Sequence, residues 1–203
     1  MREPEYVDVL ADGTVKQLNP FTGTEVWTVA GRGRRPLGLG ERRAEALDPG
    51  REGAYCVFCP GRQSDTPPEK ARLVMPPDPA DLGQPWPVRL LTAAEDLERT
   101  TAEFRRIPNL FEILSFDYWQ ANYGYELPAD LARAAQAYVA SPAGRAHVDK
   151  VLTARLTAMG QPPARPLTTE QLVEAAGAFL ASGHDVIVAR RHFIDHALDD
   201  SQL

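Results

Sequence analysis

The sequence predicts an α+β fold in which an antiparallel sheet carries a three-helix insertion. Three observations support this prediction. Apolar residues alternate on both sides of Asp12-Gly13, helical spacing dominates residues 128–182, and strand composition returns in the segment "HDVIVAR". Because strand-like segments lie on both sides of the helical block, the helices are expected to be inserted between two strands of the sheet.

Strands are predicted on either side of Asp12-Gly13, since this dipeptide tolerates positive φ and suits a tight hairpin turn. Further strands are predicted in the segments "TEVWTVA", "VRLL" and "NLFEILSF". The segment "PPEKARLVMPPDPADLGQPWPV" has seven prolines in 22 residues. It is therefore expected to cover a surface in extended or turn conformations without regular structure.

Three helices are predicted in "PADLARAAQAYVAS", "PAGRAHVDKVLTARLTAM" and "TTEQLVEAAGAFLAS". Ser141-Pro142 suits the start of the second helix, because proline is favoured at the first helical position. Thr168 and Gln171 have the spacing of a capping box at the start of the third. The predicted organisation has three parts, namely an amino-terminal sheet region that contains the cysteine- and arginine-bearing loops (1–117), a helical insertion (118–182) and a returning strand (183–203).

The chain has 203 residues, a net charge of -6 and a pI of about 5.3, which argue against a broad surface for nucleic acid or an anionic membrane. No apolar run approaches the roughly 20 residues that span a bilayer. The first residues lack the apolar segment of a secretory signal. A cytoplasmic location is the resulting expectation.

Cys56 and Cys59 are the only cysteines, and in a reducing compartment the CxxC spacing is typical of a metal half-site or a redox pair. A redox role is less favoured, because Pro and Gly follow at once and interrupt any helix. A structural zinc site needs four ligands. His192 and His196 have the HxxxH spacing that puts two imidazoles on one helical face, although both could be ordinary polar residues. His147 is expected to be a solvated surface group.

Arginine clusters and an aromatic run form two further features. Glycine-flanked arginines suit a phosphate, although pairing with the 28 carboxylates is an equally simple interpretation. The aromatic run could stack on a nucleobase, whereas core packing is the favoured interpretation. The arginines are Arg32, Arg34, Arg35, Arg105, Arg106, Arg190 and Arg191, and the aromatic residues are Phe111, Phe116, Tyr118, Trp119, Tyr123 and Tyr125.

The order of these motifs carries a resemblance to a known family. The segments "NPFTGTEVWTVAGRGRRP", "CVFCPGRQSDTPPE", "RRIPNLFEI" and "HDVIVARRH" follow one another along the chain. In this order they resemble galactose-1-phosphate uridylyltransferase-like proteins of the histidine-triad-like superfamily, and most closely an uncharacterised branch. The resemblance covers nearly the whole chain apart from the helical block. It implies a half-barrel antiparallel sheet, a zinc cofactor, and a nucleotide sugar or sugar phosphate as ligand.

The resemblance also assigns roles to individual residues. The implied zinc ligands are Cys56, Cys59 and His192, with His196 as a candidate fourth ligand. The implied nucleotide-binding residues are Arg32 and Arg35 at the phosphates and Asn109 and Phe111 at the base and ribose. In such enzymes a histidine of an HxH motif attacks the α-phosphorus, for which a neutral imidazole near pH 7 is suited.

The sequence departs from this pattern because no HxH occurs in its 203 residues. No catalytic residue is therefore assigned, and an incomplete domain is expected, with unpaired strand edges that a second chain could cover. Two hypotheses follow. The chain is either the zinc- and phosphate-binding portion of a nucleotidyltransferase, inactive in the covalent step alone, or a zinc-stabilised, non-catalytic binding or scaffold module in which His196 completes the metal site.

Overall fold

The computed structural model describes residues 6–29, 56–78, 83–110, 112, 114–163 and 166–190. Its strands are β1 (Val7–Val9), β2 (Val15–Leu18), β3 (Glu25–Thr28), β4 (Ala71–Val74), β5 (Val88–Leu90), β6 (Ala102–Pro108) and β7 (Asp185–Ala189). Its helices are α1 (Phe116–Tyr123), α2 (Ala129–Ala140), α3 (Pro142–Ala158) and α4 (Thr169–Leu180). The predicted α+β class is confirmed.

The described strands form two separate antiparallel sheets where the sequence predicts one. The first has the order β1-β2-β3 and the second the order β5-β4-β6-β7. The chain forms two compact units, of which the first contains β1 to β3 with α1 and the second contains the remaining elements. The two sheets are separate because strands β1 to β3 pair only with one another.

The predicted hairpin at Asp12-Gly13 is confirmed in the first unit. Gly13 has a φ of +82°, a conformation that glycine adopts without strain. The Asp12 side chain accepts a hydrogen bond from the backbone N–H of Thr14 at 2.9 Å, which is the geometry of an Asx turn. These local bonds place Val9 opposite Val15 and fix the register of β1 against β2.

The described residues of "NLFEILSF" (109–116) form no strand, so that prediction is wrong; they form a loop, and helix α1 begins at the last residue of the segment, Phe116. Ser115 caps the helix by accepting a hydrogen bond from the backbone N–H of Tyr118 at 3.3 Å. The indole of Trp27 stacks on the buried ring of Tyr118, with 5.9 Å between ring centroids. The favoured interpretation of core packing is therefore confirmed for Phe116 and Tyr118, which are buried. Trp119 and Tyr123 are exposed.

Strand β4 lies inside the proline-rich segment, where the sequence predicts no regular structure, and that prediction is also wrong. β4 is an interior strand, paired with β5 on one side and with β6 on the other. Its four residues lie between prolines that flank the strand without entering it, so every backbone N–H needed for pairing is present.

The three predicted helices are confirmed as α2, α3 and α4, and they lie between the neighbouring strands β6 and β7. Ser141 caps α3 with Pro142 at the first position, and Thr168 forms the predicted capping box with Gln171. The helices enclose an apolar core of Ala135, Val139, Val148, Val151, Leu172, Ala176, Phe179 and Leu180. In the described ranges, none of the helices has the length and apolar character that crossing a bilayer requires.

The two faces of the second sheet differ in burial. Alternation along β6 buries Arg105 and Ile107 on one face and leaves Phe104 and Arg106 exposed on the other. Arg105 is directly opposite Arg72 of β4 in the ladder, so two guanidinium groups share the buried face. Two cations on a buried face need counter-ions and hydrogen-bond acceptors, because burial removes them from water.

Replacement of Gly144 by alanine tests the approach of α2 to α3. A Cβ at this position would overlap the backbone carbonyl oxygen of Tyr138. We expect Gly144→Ala to lower the free energy of unfolding by about 1 to 3 kcal/mol, despite the better helix propensity of alanine. Urea denaturation measures the change. Gly183→Ala, with open space around the new Cβ, is the control and should be close to neutral; equal stability of both variants would contradict the close approach.

Candidate functional site: the cysteine turn and the adjoining cleft

Cys56 and Cys59 lie on a tight turn in which one backbone N–H donates to a cysteine sulfur. The N–H of Cys59 donates to the carbonyl of Cys56 at 3.2 Å, and the N–H of Phe58 donates to the Cys56 sulfur at 3.4 Å. Gly61, with a φ of +83°, lets the chain leave the turn in a left-handed conformation. The two cysteines are not joined in a disulfide, and Cys59 is buried whereas Cys56 is half-buried.

The chemistry of this turn is that of a metal half-site. Burial raises the pKa of the Cys59 thiol, and the neighbouring Cys56 raises it further. A cation would reverse both effects, because metal binding favours the thiolate. Within the residues that the structure describes, no group of three or more His, Cys, Asp or Glu side chains is arranged to hold a metal. Two thiols fit zinc as a partial site, and the remaining ligands must come from elsewhere.

A cleft of about 400 Å³ lies directly beside the cysteine turn. The turn and the residues just after it contribute Phe58, Pro60, Gly61 and Gln63, the sheet contributes β6 and the end of β7, and the segment before β6 contributes the rest. Its lining residues are Phe58, Pro60, Gly61, Gln63, Glu98, Thr100, Thr101, Ala102, Arg105, Val188, Ala189 and Arg190. The cleft thus combines one aromatic ring, two guanidinium groups and two threonine hydroxyls.

Arg105 belongs to a buried ion cluster beneath this cleft. Glu69 is 1% exposed and forms a two-pronged ion pair with Arg72, in which Nε and Nη2 donate to the two carboxylate oxygens at 2.7 and 2.8 Å. The Nε of Arg105 lies 3.4 Å from the same carboxylate. Burial lowers the pKa of Arg105, which the charge of Glu69 opposes and that of Arg72 reinforces. One carboxylate therefore serves two cations.

Arg190 is the second guanidinium of the cleft. Its Nε donates to a carboxylate oxygen of Glu103 at 2.8 Å, and its backbone N–H donates to the Glu103 carbonyl at 2.8 Å. These bonds join the end of β7 to the start of β6. Arg190 therefore has a carboxylate partner of its own in Glu103, whereas Arg105 shares Glu69 with Arg72.

His147 is buried, so the prediction of a solvated surface histidine is wrong. Its Nε2 lies 2.7 Å from the carbonyl oxygen of Thr66, and its Nδ1 lies 2.7 Å from the Tyr138 hydroxyl. A carbonyl only accepts, so Nε2 carries the proton and Nδ1 accepts from the hydroxyl. The Thr66 hydroxyl in turn accepts from Nη2 of Arg105 at 3.2 Å. Thr66 therefore connects helix α3 to the arginine of the cleft.

The structure describes three of the eight predicted site residues. Cys56 and Cys59 lie together on the turn. Asn109 follows β6 at the end remote from the cleft, where its N–H donates to the carbonyl of His184 at 2.9 Å, and it does not line the cleft. The other predicted site residues, which lie outside the described residues, are Arg32, Arg35, Phe111, His192 and His196.

Sequence reasoning missed Glu69 and Gln63 as parts of this site. The spacing of Glu69 and Arg72 permits an ion pair, but it gives no sign that the pair is buried. Gln63 lines the cleft, and its side-chain oxygen is buried without a hydrogen-bond partner among the described residues. Arg105 was predictable only as one member of an arginine cluster.

A protein-family profile matches residues 10–203, which is all but the first nine residues of the chain. The family is described as a domain of unknown function, DUF4921. Searches of curated proteins and of solved structures give no significant match.

Protonation of His147 should destabilise the fold. Burial lowers the pKa of His147 below its ordinary value of 6.5, an effect opposed by the bond to Thr66 and by the charge of Glu69 and reinforced by Lys150 and Arg105. Below pH 6.5 the unfolded chain therefore binds more protons than the folded one. We expect the free energy of unfolding to fall as pH falls from 7 to 5.5, by at most about 1.4 kcal/mol per pH unit.

Denaturant titrations at several pH values measure this dependence against His147→Gln, which keeps an amide donor and removes the titratable ring. The difference in unfolding free energy between wild type and variant should shrink toward acid pH. A difference that is constant, or that grows toward acid pH, would show that the ring is not held in its neutral form.

Proposed function

The chain belongs to the DUF4921 family, and within it we propose that this protein is a zinc- and nucleotide-phosphate-binding module resembling galactose-1-phosphate uridylyltransferases. The proposal includes a sheet of the histidine-triad-like, half-barrel kind. Since no HxH occurs in the sequence, it covers binding and includes no covalent step.

One observation carries the proposal, which is that the cysteine turn and the end of β7 line the same cleft. Phe58 lies between the two cysteines, and Arg190 directly follows β7. His192 is two residues farther along the chain, and an extended chain advances about 3.3 Å per residue, or about 7 Å over two residues. We propose that its imidazole joins the two thiolates in a shared zinc site.

The proposed zinc ligands are Cys56, Cys59 and His192, with His196 as the candidate fourth. Thiolate and imidazole are the ligand types that zinc prefers in structural sites. Bound zinc would supply a cross-link between the turn before β4 and the segment after β7. Phe58 and the arginines that line the cleft would then bind the ligand, and the cross-link would hold the walls of the cleft in place.

The proposed ligand is a nucleotide sugar or a sugar phosphate. A cleft with one aromatic ring and two guanidinium groups offers a stacking surface for a base and forked donors for phosphate oxygens. Arg32, Arg35 and Phe111 remain proposed contacts on the strength of the resemblance, and Asn109 remains one for a part of the ligand that extends beyond this cleft. Because the net charge of -6 repels anions on average, an anion site on this chain needs local cations such as these.

The metal prediction is tested by zinc analysis of purified protein after loading and desalting. We expect one zinc per chain, and we expect its loss in Cys56→Ser, Cys59→Ser and His192→Ala, because a zinc site that loses one of its ligands binds the ion much less tightly. His184→Ala is the matched control, since this exposed histidine precedes β7 and should not affect zinc content. Zinc retained in a Cys56→Ser, Cys59→Ser double variant would refute the site.

Titration of the zinc-loaded protein with uridine and adenine sugar nucleotides tests the second half of the proposal. Calorimetric binding of either nucleotide supports it. If zinc binds, no nucleotide binds, and His196→Ala abolishes zinc binding, the protein is a zinc-stabilised binding or scaffold module and the nucleotide part of the proposal is wrong.

A further inference from the structure

We propose that Arg105 is the phosphate-binding residue of the cleft beside the cysteine turn, and that an oxyanion completes the charge balance of the ion cluster beneath it. The identity of the phosphate-carrying ligand rests on the proposed function. Arg105 itself is identified from the contacts that it makes, and lacks, in the second unit.

The buried ion cluster contains two cations, Arg72 and Arg105, and one anion, Glu69. Both oxygens of Glu69 accept hydrogen bonds from Arg72 at 2.7 and 2.8 Å. The third nitrogen of Arg72, Nη1, donates to the carbonyl oxygens of Leu97 and Thr100 at 3.0 Å each. Arg72 is therefore fully engaged, and its charge is balanced by Glu69.

Arg105 lies beside this pair. Its Nε lies 3.4 Å from Glu69, is buried, and has no hydrogen-bond acceptor among the described residues. In the part of the chain that the structure describes, its Nη2 donates to the neutral hydroxyl of Thr66 and to no charged acceptor. A guanidinium group does not lose its proton under ordinary conditions. With residue exposure of 6%, Arg105 is a buried cation with an incomplete set of acceptors.

The buried charge of Arg105 destabilises the folded protein, and an anion bound in the cleft would reduce this effect. A buried charge without its own counter-ion is destabilising, because desolvation is not repaid by pairing. Arg105 lines the cleft, so an anion that enters the cleft can reach it. Arg190 lines the same cleft but is already paired with Glu103. Arg105 is therefore the lining cation with the most to gain from an anion.

The lining of the cleft indicates the chemical class of the anion. A planar guanidinium matches two oxygens of a phosphate, and Thr101, which lines the same cleft, carries a hydroxyl that is a further donor. Glu98 also lines it and disfavours an anion at its own position, but this side chain is exposed and water screens its charge. A phosphate oxyanion is the ligand class that fits this combination.

Phosphate binding by the full chain tests the assignment in a buffer free of phosphate and sulfate. The probes are inorganic phosphate, uridine monophosphate and uridine, measured by calorimetry. We expect both phosphates to bind and uridine alone to bind far more weakly. Arg105→Met should weaken both phosphates by about tenfold to a hundredfold, the contribution of a charge-assisted hydrogen bond. Arg106→Met is the matched control and should stay within about twofold, because Arg106 lies on the exposed sheet face, pairs with Asp185 and does not line the cleft.

Further variants and readouts keep each outcome interpretable. If Arg105→Met does not fold, Arg105→Lys replaces it, and it should bind several-fold more weakly because it keeps the charge and loses the fork. Tighter binding of uridine monophosphate than of inorganic phosphate identifies a nucleotide as the source, and equal binding identifies free phosphate. Unchanged phosphate affinity in the Arg105 variant, or no phosphate binding by wild type, overturns the assignment.

Zinc analysis of the same samples separates this assignment from the proposed function. A protein that binds no zinc, but loses phosphate affinity in Arg105→Met, supports Arg105 and refutes the zinc-braced module. A protein that binds zinc through Cys56 and Cys59, with unchanged phosphate affinity in Arg105→Met, supports the module and refutes the assignment of Arg105.

Discussion

The buried ion pair between Glu69 and Arg72 is the constraint on which the second unit depends. Arg72 lies on the interior strand β4, directly opposite Arg105 of β6, so the sheet register brings two cations together on a buried face. A single carboxylate with its two oxygens can satisfy one guanidinium in the two-pronged geometry. The pairing of β4 with β6 therefore determines which arginine is balanced and which one lines the cleft.

The helices depend on the same region through Thr66. This residue binds His147 of α3 through its carbonyl and Arg105 of β6 through its hydroxyl, while its hydroxyl also donates to the carbonyl of Gln63 at 2.9 Å. Gln63 closely follows the cysteine turn along the chain. The buried face of the sheet, the helical insertion and the turn that carries the two thiols are thus connected by hydrogen bonds at one residue.

Features set by local sequence were predictable, and features set by distant contacts were not. The turn at Asp12-Gly13 and the cap at Thr168 depend on neighbouring residues, so their pattern was sufficient. β4 was hidden by the prolines around it, and the burial of His147 depends on a carbonyl 81 residues away in sequence. The incomplete charge balance of Arg105 results from the register of β4 against β6, which residue spacing does not show.

The most direct test of this account compares the unfolding free energies of Arg72→Met and Arg105→Met in phosphate-free buffer. Arg72→Met removes the partner of a buried carboxylate and should cost about 3 to 5 kcal/mol. Arg105→Met leaves the Glu69 to Arg72 pair intact and removes a buried cation without a full set of acceptors, so it should be at least as stable as wild type. An equal loss of stability in both variants would contradict the account, because Arg105 would then be as well paired as Arg72.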